Sequence, residues 1–238
     1  MKPDHLLVLA GGFGTRLRAA VPELPKPLAP VAGQPYLAYL IDHWAAQGIV
    51  RMTFLLHHQA PLIEQFLMEK RTSDSLRHCE LDTLTEAVPL GTGGAIAYAV
   101  RELGLEEAFL VANADTWLGE SLNRLGDAQA PAMSVVHVDN TERYGRVEIA
   151  GHKISTFTEK KNSVGPGWIN AGMYRLDANL FRDWDGRPFS IEDEVFPSLA
   201  STGELTAVPL HTEFVDIGIP ADYFRFCRWI ESQKAGTL

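Results

Sequence analysis

The chain has 238 residues, 46% hydrophobic and 21% charged, a balance that supports one substantial core and excludes a disordered or fibrous protein. No stretch is apolar for long enough to span a membrane, and the N-terminal MKPDHLLVLAGG reads as a short strand running into glycines, not a secretion signal, so a cytoplasmic protein is expected. A net charge of −9, with 21 Lys and Arg scattered along the chain, argues against nucleic acid as the main partner, and the two cysteines, Cys79 and Cys227, stand in apolar patterns without a partner motif, which predicts buried free thiols.

Leu6–Leu9 reads as a buried strand and runs directly into Gly11, Gly12 and Gly14 of LVLAGGFGTRL. Without side chains there, backbone N–H groups can approach phosphate oxygens. A dinucleotide loop would need a glycine where Leu17 stands, and a Walker loop ends in Gly-Lys-Ser/Thr; neither is present. Arg16 falls inside the loop. Lys26 stands between Pro25 and Pro27, which restrict the backbone and favour an extended, preorganised presentation of the cation.

Helices are predicted over Pro35–Gln47 and Pro61–Lys70, with a strand at Met52–Leu56 between them. His57 and His58 follow that strand as neighbours, so their side chains are expected on opposite faces and not as a metal pair. A strand near Cys79–Leu84, a helix from Gly94 to about Leu103 and a strand at Ala108–Ala112 continue the alternation. Such alternation implies a mostly parallel sheet covered by helices on both faces, with ligands beyond the carboxyl ends of the strands. Gly91, Thr92, Gly93 and Gly94 of EAVPLGTGGA lie between a strand and a helix and would let a base or ribose rest on exposed backbone; a tight turn without a ligand has the same pattern. Asp115 follows the strand AFLVA and faces the expected cleft.

From about Ala132 strands follow one another, at Ser134–Val138, Arg146–Ile149, Ile154–Glu159 and Trp168–Leu176, before helical patterns return at Ile191–Leu199 and Tyr223–Gln233. The expectation is a mixed sheet with a small substrate lobe. Asp216 in FVDIG ends a further apolar strand. Magnesium favours hard oxygens and commonly takes one or two protein carboxylates plus phosphates and waters, so Asp115 and Asp216 form a candidate pair. Trp168, Trp184 and Trp229 are expected to pack in the core or at an interface.

Taken together, these motifs resemble the sugar-phosphate nucleotidyltransferase family, whose signature is a G-x-G-T-R-L loop after the first strand followed by P-K-P. The matching residues are Gly12, Gly14, Thr15, Arg16, Leu17, Pro25, Lys26 and Pro27, and later landmarks follow in order over nearly the whole chain. The resemblance implies a single α/β domain of Rossmann-like three-layer α/β/α architecture, with residues 1–130 binding nucleotide and 131–238 binding sugar phosphate. It implies Arg16, Lys26 and Asp115 as the catalytic set and magnesium on Asp115 and Asp216. Around the nucleotide it places Leu9, Ala10, Gly11, Gly12, Gly14 and Thr15 from the first loop, and Glu86, Gly91 and Thr92 from the second. Around the sugar phosphate it places Gly145 of RYGRV, Glu159 and Lys160 of FTEKK, and Asn170 and Gly172 of INAGMY. Ala114 replaces the glycine of the family's Gly-Asp motif, a small change that leaves the carboxylate in place.

The reaction implied joins a sugar 1-phosphate to a nucleoside triphosphate and releases pyrophosphate. The sugar phosphate is already an anionic nucleophile, so positioning and charge neutralisation are what the site must supply. PLGTGGA, RYGRV, INAGMY, FSIEDEVFPSLA and FVDIGIPADY point within the family to heptose 1-phosphate with GTP. Mannose 1-phosphate with GTP, and N-acetylmuramate 1-phosphate with UTP, stand as alternatives. Only one helix is expected after FVDIG, without a C-terminal β-helix or acyltransferase extension. A homodimer stays open, as does a non-catalytic nucleotide-sugar-binding regulator; retention of Arg16, Lys26, Asp115 and Asp216 speaks against the regulator.

Overall fold

A computed structural model describes residues 5–158 and 164–235. Along its first strand, β1 (His5–Leu9), Leu6 and Val8 enter one apolar cluster and Leu7 another, so β1 is buried on both faces. The short strands β2 (Pro30–Val31) and β3 (Gln34–Pro35) form a separate ribbon leading into helix α1 (Tyr36–Ala46). Strand β4 (Arg51–Leu56), helix α2 (Ala60–Lys70), strand β5 (Glu80–Thr85), helix α3 (Gly91–Leu103) and strand β6 (Ala108–Asn113) complete the predicted alternation. Next come β7 (Thr116–Leu118), α4 (Leu122–Asp127), β8 (Ala132–Val138), β9 (Arg146–Ala150), β10 (Lys153–Thr158) and the long β11 (Gly167–Asp177). Helices α5 (Ile191–Glu194) and α6 (Phe196–Ser201), strands β12 (Thr206–Leu210) and β13 (Phe214–Asp216), and helix α7 (Pro220–Ala235) follow.

Nine strands form one sheet in the order β5-β4-β1-β6-β11-β8-β12-β10-β9. The first four are parallel, β11 is antiparallel to both β6 and β8, and β12 is parallel to β8. Helices α1, α2, α4 and α7 pack into the cluster around Leu6 and Val8, while α3, α5 and α6 pack into the cluster around Leu7. The protein is therefore a mixed α/β fold with helical layers on both faces of the sheet. The β9–β10 hairpin folds onto the start of β11, where Trp168 pairs with Val147. Strands β5, β4, β1 and β6 end side by side, so the segments that follow them gather along one edge.

The structure departs from the sequence expectations at the start of α3 and in the burial of the cysteines. A proline removes a ladder hydrogen bond from a sheet strand, and strand β12 carries one at Pro209. It is tolerated because β10 pairs with β12 only at Lys153 and Thr206, leaving one side of β12 without a strand partner at Pro209 among the described residues. Helix α3 begins at Gly91, ahead of the predicted Gly94. Cys79 and Cys227 are free but only half-buried, because each lies at the margin of a core cluster. Trp168, Trp184 and Trp229 are partly buried against the core clusters. No helix among the described residues is long and apolar enough to cross a membrane.

Candidate active site

The loop after β1 is tied to its neighbour strand: the Ala10 N–H donates to the Leu55 carbonyl at 3.0 Å, and the His58 N–H donates to the Gly11 carbonyl at 3.3 Å. Gly14 has φ +59°, and a Cβ there would lie 3.2 Å from Lys26 Cβ, so the loop folds directly onto the lysine. Gly12 differs, because a Cβ on it would meet nothing within 4 Å. No internal contact requires glycine at that position, and the open space belongs to a 260 Å³ cavity that Ala10, Thr15, Arg16, Lys26 and Asp115 also line. Lys26 opens a single 3-10 turn, Lys26–Leu28, after an extended Pro25, instead of lying in an extended segment itself.

Two carboxylates converge on that lysine. The two-stranded ladder of β7 and β13 sets Asp216 opposite Thr116, and the Ile217 N–H donates to the Asp115 carbonyl at 2.9 Å. Lys26 Nζ lies 2.5 Å from Asp115 Oδ2 and 3.5 Å from Asp216 Oδ1. The Thr116 hydroxyl donates to Asp115 Oδ1 at 3.0 Å, and the Gly218 N–H donates to Asp216 Oδ1 at 2.7 Å. Burial and then the Asp115 charge hold the Asp216 carboxyl above the usual carboxylate range, against the pull of Lys26, the Gly218 N–H and Arg16. The Lys26 ammonium lies within 4 Å of both carboxylates and Arg16 lines the same cavities, so the protein's own charges at this point are close to balanced. Among the described residues no group of three or more His, Cys, Asp or Glu is placed to hold a metal. A cation here would therefore take two protein oxygen donors and complete its shell from substrate, which is the habit of magnesium.

Three cavities meet at Asp115. Beside the loop cavity, a 300 Å³ cavity is walled mainly by apolar side chains, among them Leu9, Phe13, Leu55 and Ala95, with Glu86, Gly91 and Thr92 at its margin. Glu86 Oε2 accepts the Leu90 N–H at 2.8 Å, fixing the turn that leads into α3. Burial pushes the Glu86 carboxyl up, with the Leu90 N–H and His57 acting in the opposite direction. The glycines of this turn have a different cause from the expected one. A Cβ on Gly91 would lie 2.5 Å from the Phe189 carbonyl oxygen and one on Gly93 2.1 Å from the Phe189 ring. The Gly93 and Gly94 N–H groups both donate to the Phe189 carbonyl, so these glycines make way for a protein segment. Thr92 extends the same seam, its hydroxyl donating to Glu192 Oε2 at 2.5 Å and accepting the Ile191 N–H at 3.1 Å.

The third cavity, of 270 Å³, is polar and is lined by Arg16, Asn113, Arg143, Asn170, Glu192 and Asp216 among others. Gly145 and Gly172 lie here with Asn170, whose N–H donates to the Gly145 carbonyl at 2.9 Å. Asn170 Oδ1 accepts the Gly172 N–H at 2.9 Å, and its Nδ2 donates to the Tyr174 hydroxyl at 2.8 Å. The asparagine thus shapes the irregular stretch of β11 that leaves Gly172 at φ +74°. Glu159 and Lys160 lie outside the described residues. Sequence pattern alone did not single out Arg143, Tyr144 and Glu192, although RYGRV and FSIEDEVF contain them. The Arg143 guanidinium donates to the Tyr144 hydroxyl at 2.7 Å and pairs with Asp222, which also holds Arg225 at 3.2 Å.

His57 and His58 require a correction. β4 ends at Leu56, so the alternation of a strand does not govern them, and both rings approach Phe13, at centroid distances of 6.1 and 5.1 Å.

Residues 5–233 match the nucleotidyl transferase family. Mannose-1-phosphate guanylyltransferase 1 of Arabidopsis thaliana is 33% identical over 91% of this chain and 62% of its own length. The D-glycero-alpha-D-manno-heptose 1-phosphate guanylyltransferase of Campylobacter jejuni is 28% identical over 92% of this chain and 97% of its own. The crystal structure of HddC from Yersinia pseudotuberculosis superposes with a TM-score of 0.83 at 32% identity, covering 95% of this chain and 99% of that one; a complex of the same protein with GMP-PN scores 0.82. The chain spans less than two thirds of the plant relative.

Proposed function

Because this chain belongs to the nucleotidyl transferase family, we propose that it transfers a nucleotidyl group from a nucleoside triphosphate to a sugar 1-phosphate, releasing pyrophosphate. One observation carries the reading: a mainly apolar cavity, a glycine-loop cavity with two cations and a polar cavity all share Asp115. A base, a triphosphate and a sugar phosphate are three such ligands that have to meet at one phosphorus.

The roles follow from placement. Arg16 lines both the loop cavity and the polar cavity, so its charge faces the junction where the α-phosphate and the incoming phosphate would meet. Lys26 offsets charge on the triphosphate. Asp115 and Asp216 would hold magnesium, which when bound would neutralise phosphate charge. Asn113, Arg143 and Asn170 line the side from which the sugar phosphate enters.

GTP and a heptose 1-phosphate are the favoured substrates, because the relative matched over nearly all its length is named for that sugar and the HddC complex contains GMP-PN. Mannose 1-phosphate is the second reading, supported by the plant relative. A cytoplasmic location, where nucleoside triphosphates are supplied, goes with either. The test is pyrophosphate release by the purified chain across a panel of nucleoside triphosphates and sugar 1-phosphates, with magnesium and with a chelator. GTP with heptose 1-phosphate should give the highest kcat/KM, and release needs magnesium; no release with any pair defeats the proposal.

A further inference from the structure

A fourth cavity, of 690 Å³, shares no lining residue with the three that meet at Asp115. We infer that it binds a nucleoside phosphate as an effector, and that this ligand acts on the active site through the segment 184–192. Only the effect on turnover rests on the transferase reading.

The cavity opens between the second half of α3 and the 3-10 turn Ala178–Phe181. Its volume falls within the ~300–1,000 Å³ of small-molecule sites. Val100, Ala178 and Phe181 are buried and give it an apolar floor, which with the Trp184 ring suits a nucleobase. Two guanidinium groups supply the charge. Arg101 is held against two rings, 4.9 Å from the Trp184 centroid and 5.5 Å from the Tyr98 centroid. Its Nε donates to Glu102 at 3.2 Å, while its two terminal nitrogens have no hydrogen-bond partner among the described residues. Arg182 donates to the Asn179 side chain and enters no ion pair with another described residue. A guanidinium steadied in this way offers parallel N–H donors to a phosphate at little further cost in side-chain freedom. On a chain of net charge −9, two such cations facing one cavity favour an anion there. Glu106 also lines the cavity, and its carboxylate can accept a ribose hydroxyl.

Helix α3 serves a cavity at each end. Gly91 and Thr92 line the apolar cavity at Asp115 and Arg101 lines this one, about 14 Å away at 1.5 Å of rise per residue. A chain of hydrogen bonds runs alongside the helix. Trp184 Nε1 donates to the Arg187 carbonyl at 2.8 Å, and the Arg187 guanidinium donates twice to Glu194, at 3.0 and 2.6 Å. The Phe189 N–H donates to the Leu90 carbonyl at 2.9 Å, and the Phe189 carbonyl accepts from Gly93 and Gly94. Glu192 accepts the Thr92 hydroxyl and lines the polar cavity. A ligand that shifts the Trp184 ring therefore pulls on a tethered segment whose far end holds Thr92 and Glu192.

GMP, titrated calorimetrically into the wild-type chain and the double variant Arg101→Gln with Arg182→Gln, tests the site. Both arginines are exposed, so the variant should melt like the wild type. The wild type should bind one equivalent of GMP more than the variant, or bind it at least tenfold more tightly; equal stoichiometry and affinity overturn the site. Guanosine lacks the phosphate and ribose 5-phosphate lacks the base, so neither should fill the extra site where GMP does. Either one binding there as tightly as GMP overturns the nucleotide assignment. For the coupling, amide exchange across 184–194 should slow as the extra equivalent binds to the wild type, and not in the variant. With both substrates saturating, GMP should change kcat at least twofold in the wild type alone. Exchange or kcat that ignores the extra equivalent overturns the coupling. Absence of turnover on every substrate pair defeats the transferase reading instead, and stoichiometry and amide exchange still decide the site and its coupling.

Discussion

The Lys26 ammonium nitrogen lies 2.5 Å from a carboxylate oxygen of Asp115, joining the turn after the glycine loop to the segment that follows β6. It is also 3.5 Å from Asp216, so one side chain screens two like charges. Lys26→Met keeps most of the aliphatic stem and removes the screen. Breaking a fully buried pair costs about 3–5 kcal/mol. Lys26 is 10% exposed but Asp115 is 35% exposed, so about 1–3 kcal/mol is expected here. Thermal melts should show that loss, magnesium should recover part of it by replacing the missing charge, and turnover should fall about 100-fold or more. A variant that melts like the wild type would mean that the lysine does not hold the carboxylates together.

Gly218 provides a second handle on the same group. A Cβ at this position would lie 2.8 Å from Asp216 Oδ1 and 3.2 Å from Lys26 Nζ, so Gly218→Ala must displace the carboxylate, the ammonium or both. No positive φ is involved, and the backbone itself tolerates alanine. The expected result is a loss of turnover of about tenfold, or ~1.4 kcal/mol of transition-state stabilisation, with a much smaller change in melting temperature. Steady-state kinetics beside a melting curve checks this, and wild-type kcat would release Gly218 from any part in placing Lys26.

These residues also mark what the sequence made legible. Gly12 and Asp115 could be singled out because each follows a strand with a clear apolar run, Arg16 because it falls inside the glycine loop, and Lys26 because Pro25 and Pro27 flank it. The neighbourhood of Asp216 was not fully readable, because β7 is only three residues long and its pairing with β13 is a contact between distant segments. The glycines at 91 and 93 were read as space for a ligand, yet the occupant is Phe189, about a hundred residues away in sequence. Local pattern reveals that a backbone must be approached closely and does not name what approaches it. Arg143 and Glu192 went unread for a related reason: alone each is an ordinary surface charge, and only the folded sheet brings both beside Arg16.

The Phe189 contact makes its own prediction. A Cβ on Gly93 would stand 2.1 Å from the Phe189 ring, so Gly93→Ala overpacks the seam between α3 and the segment before α5. Overpacking of this kind costs typically about 1–3 kcal/mol. If the ring is the cause, Phe189→Ala combined with Gly93→Ala should lose clearly less than the sum of the two single losses. A double-mutant cycle read by chemical denaturation measures this, and strict additivity would assign the glycine some other purpose.

Glu86 gives a prediction in pH. Burial raises its carboxyl above the ordinary 4.5, so between that value and its folded-state value the folded chain holds a proton that the unfolded chain has released. The stabilising contribution is therefore complete below the unfolded pKa and is lost as pH rises through the folded one. Glu86→Gln cannot titrate, yet its side-chain carbonyl can still accept the Leu90 N–H that Oε2 accepts in the wild type. The melting temperature of the variant minus that of the wild type should become more positive as pH rises from about 4, and then level off once Glu86 is ionised in both states. A difference that stays flat across this range would mean that the Glu86 carboxyl ionises as readily in the folded chain as in the unfolded one.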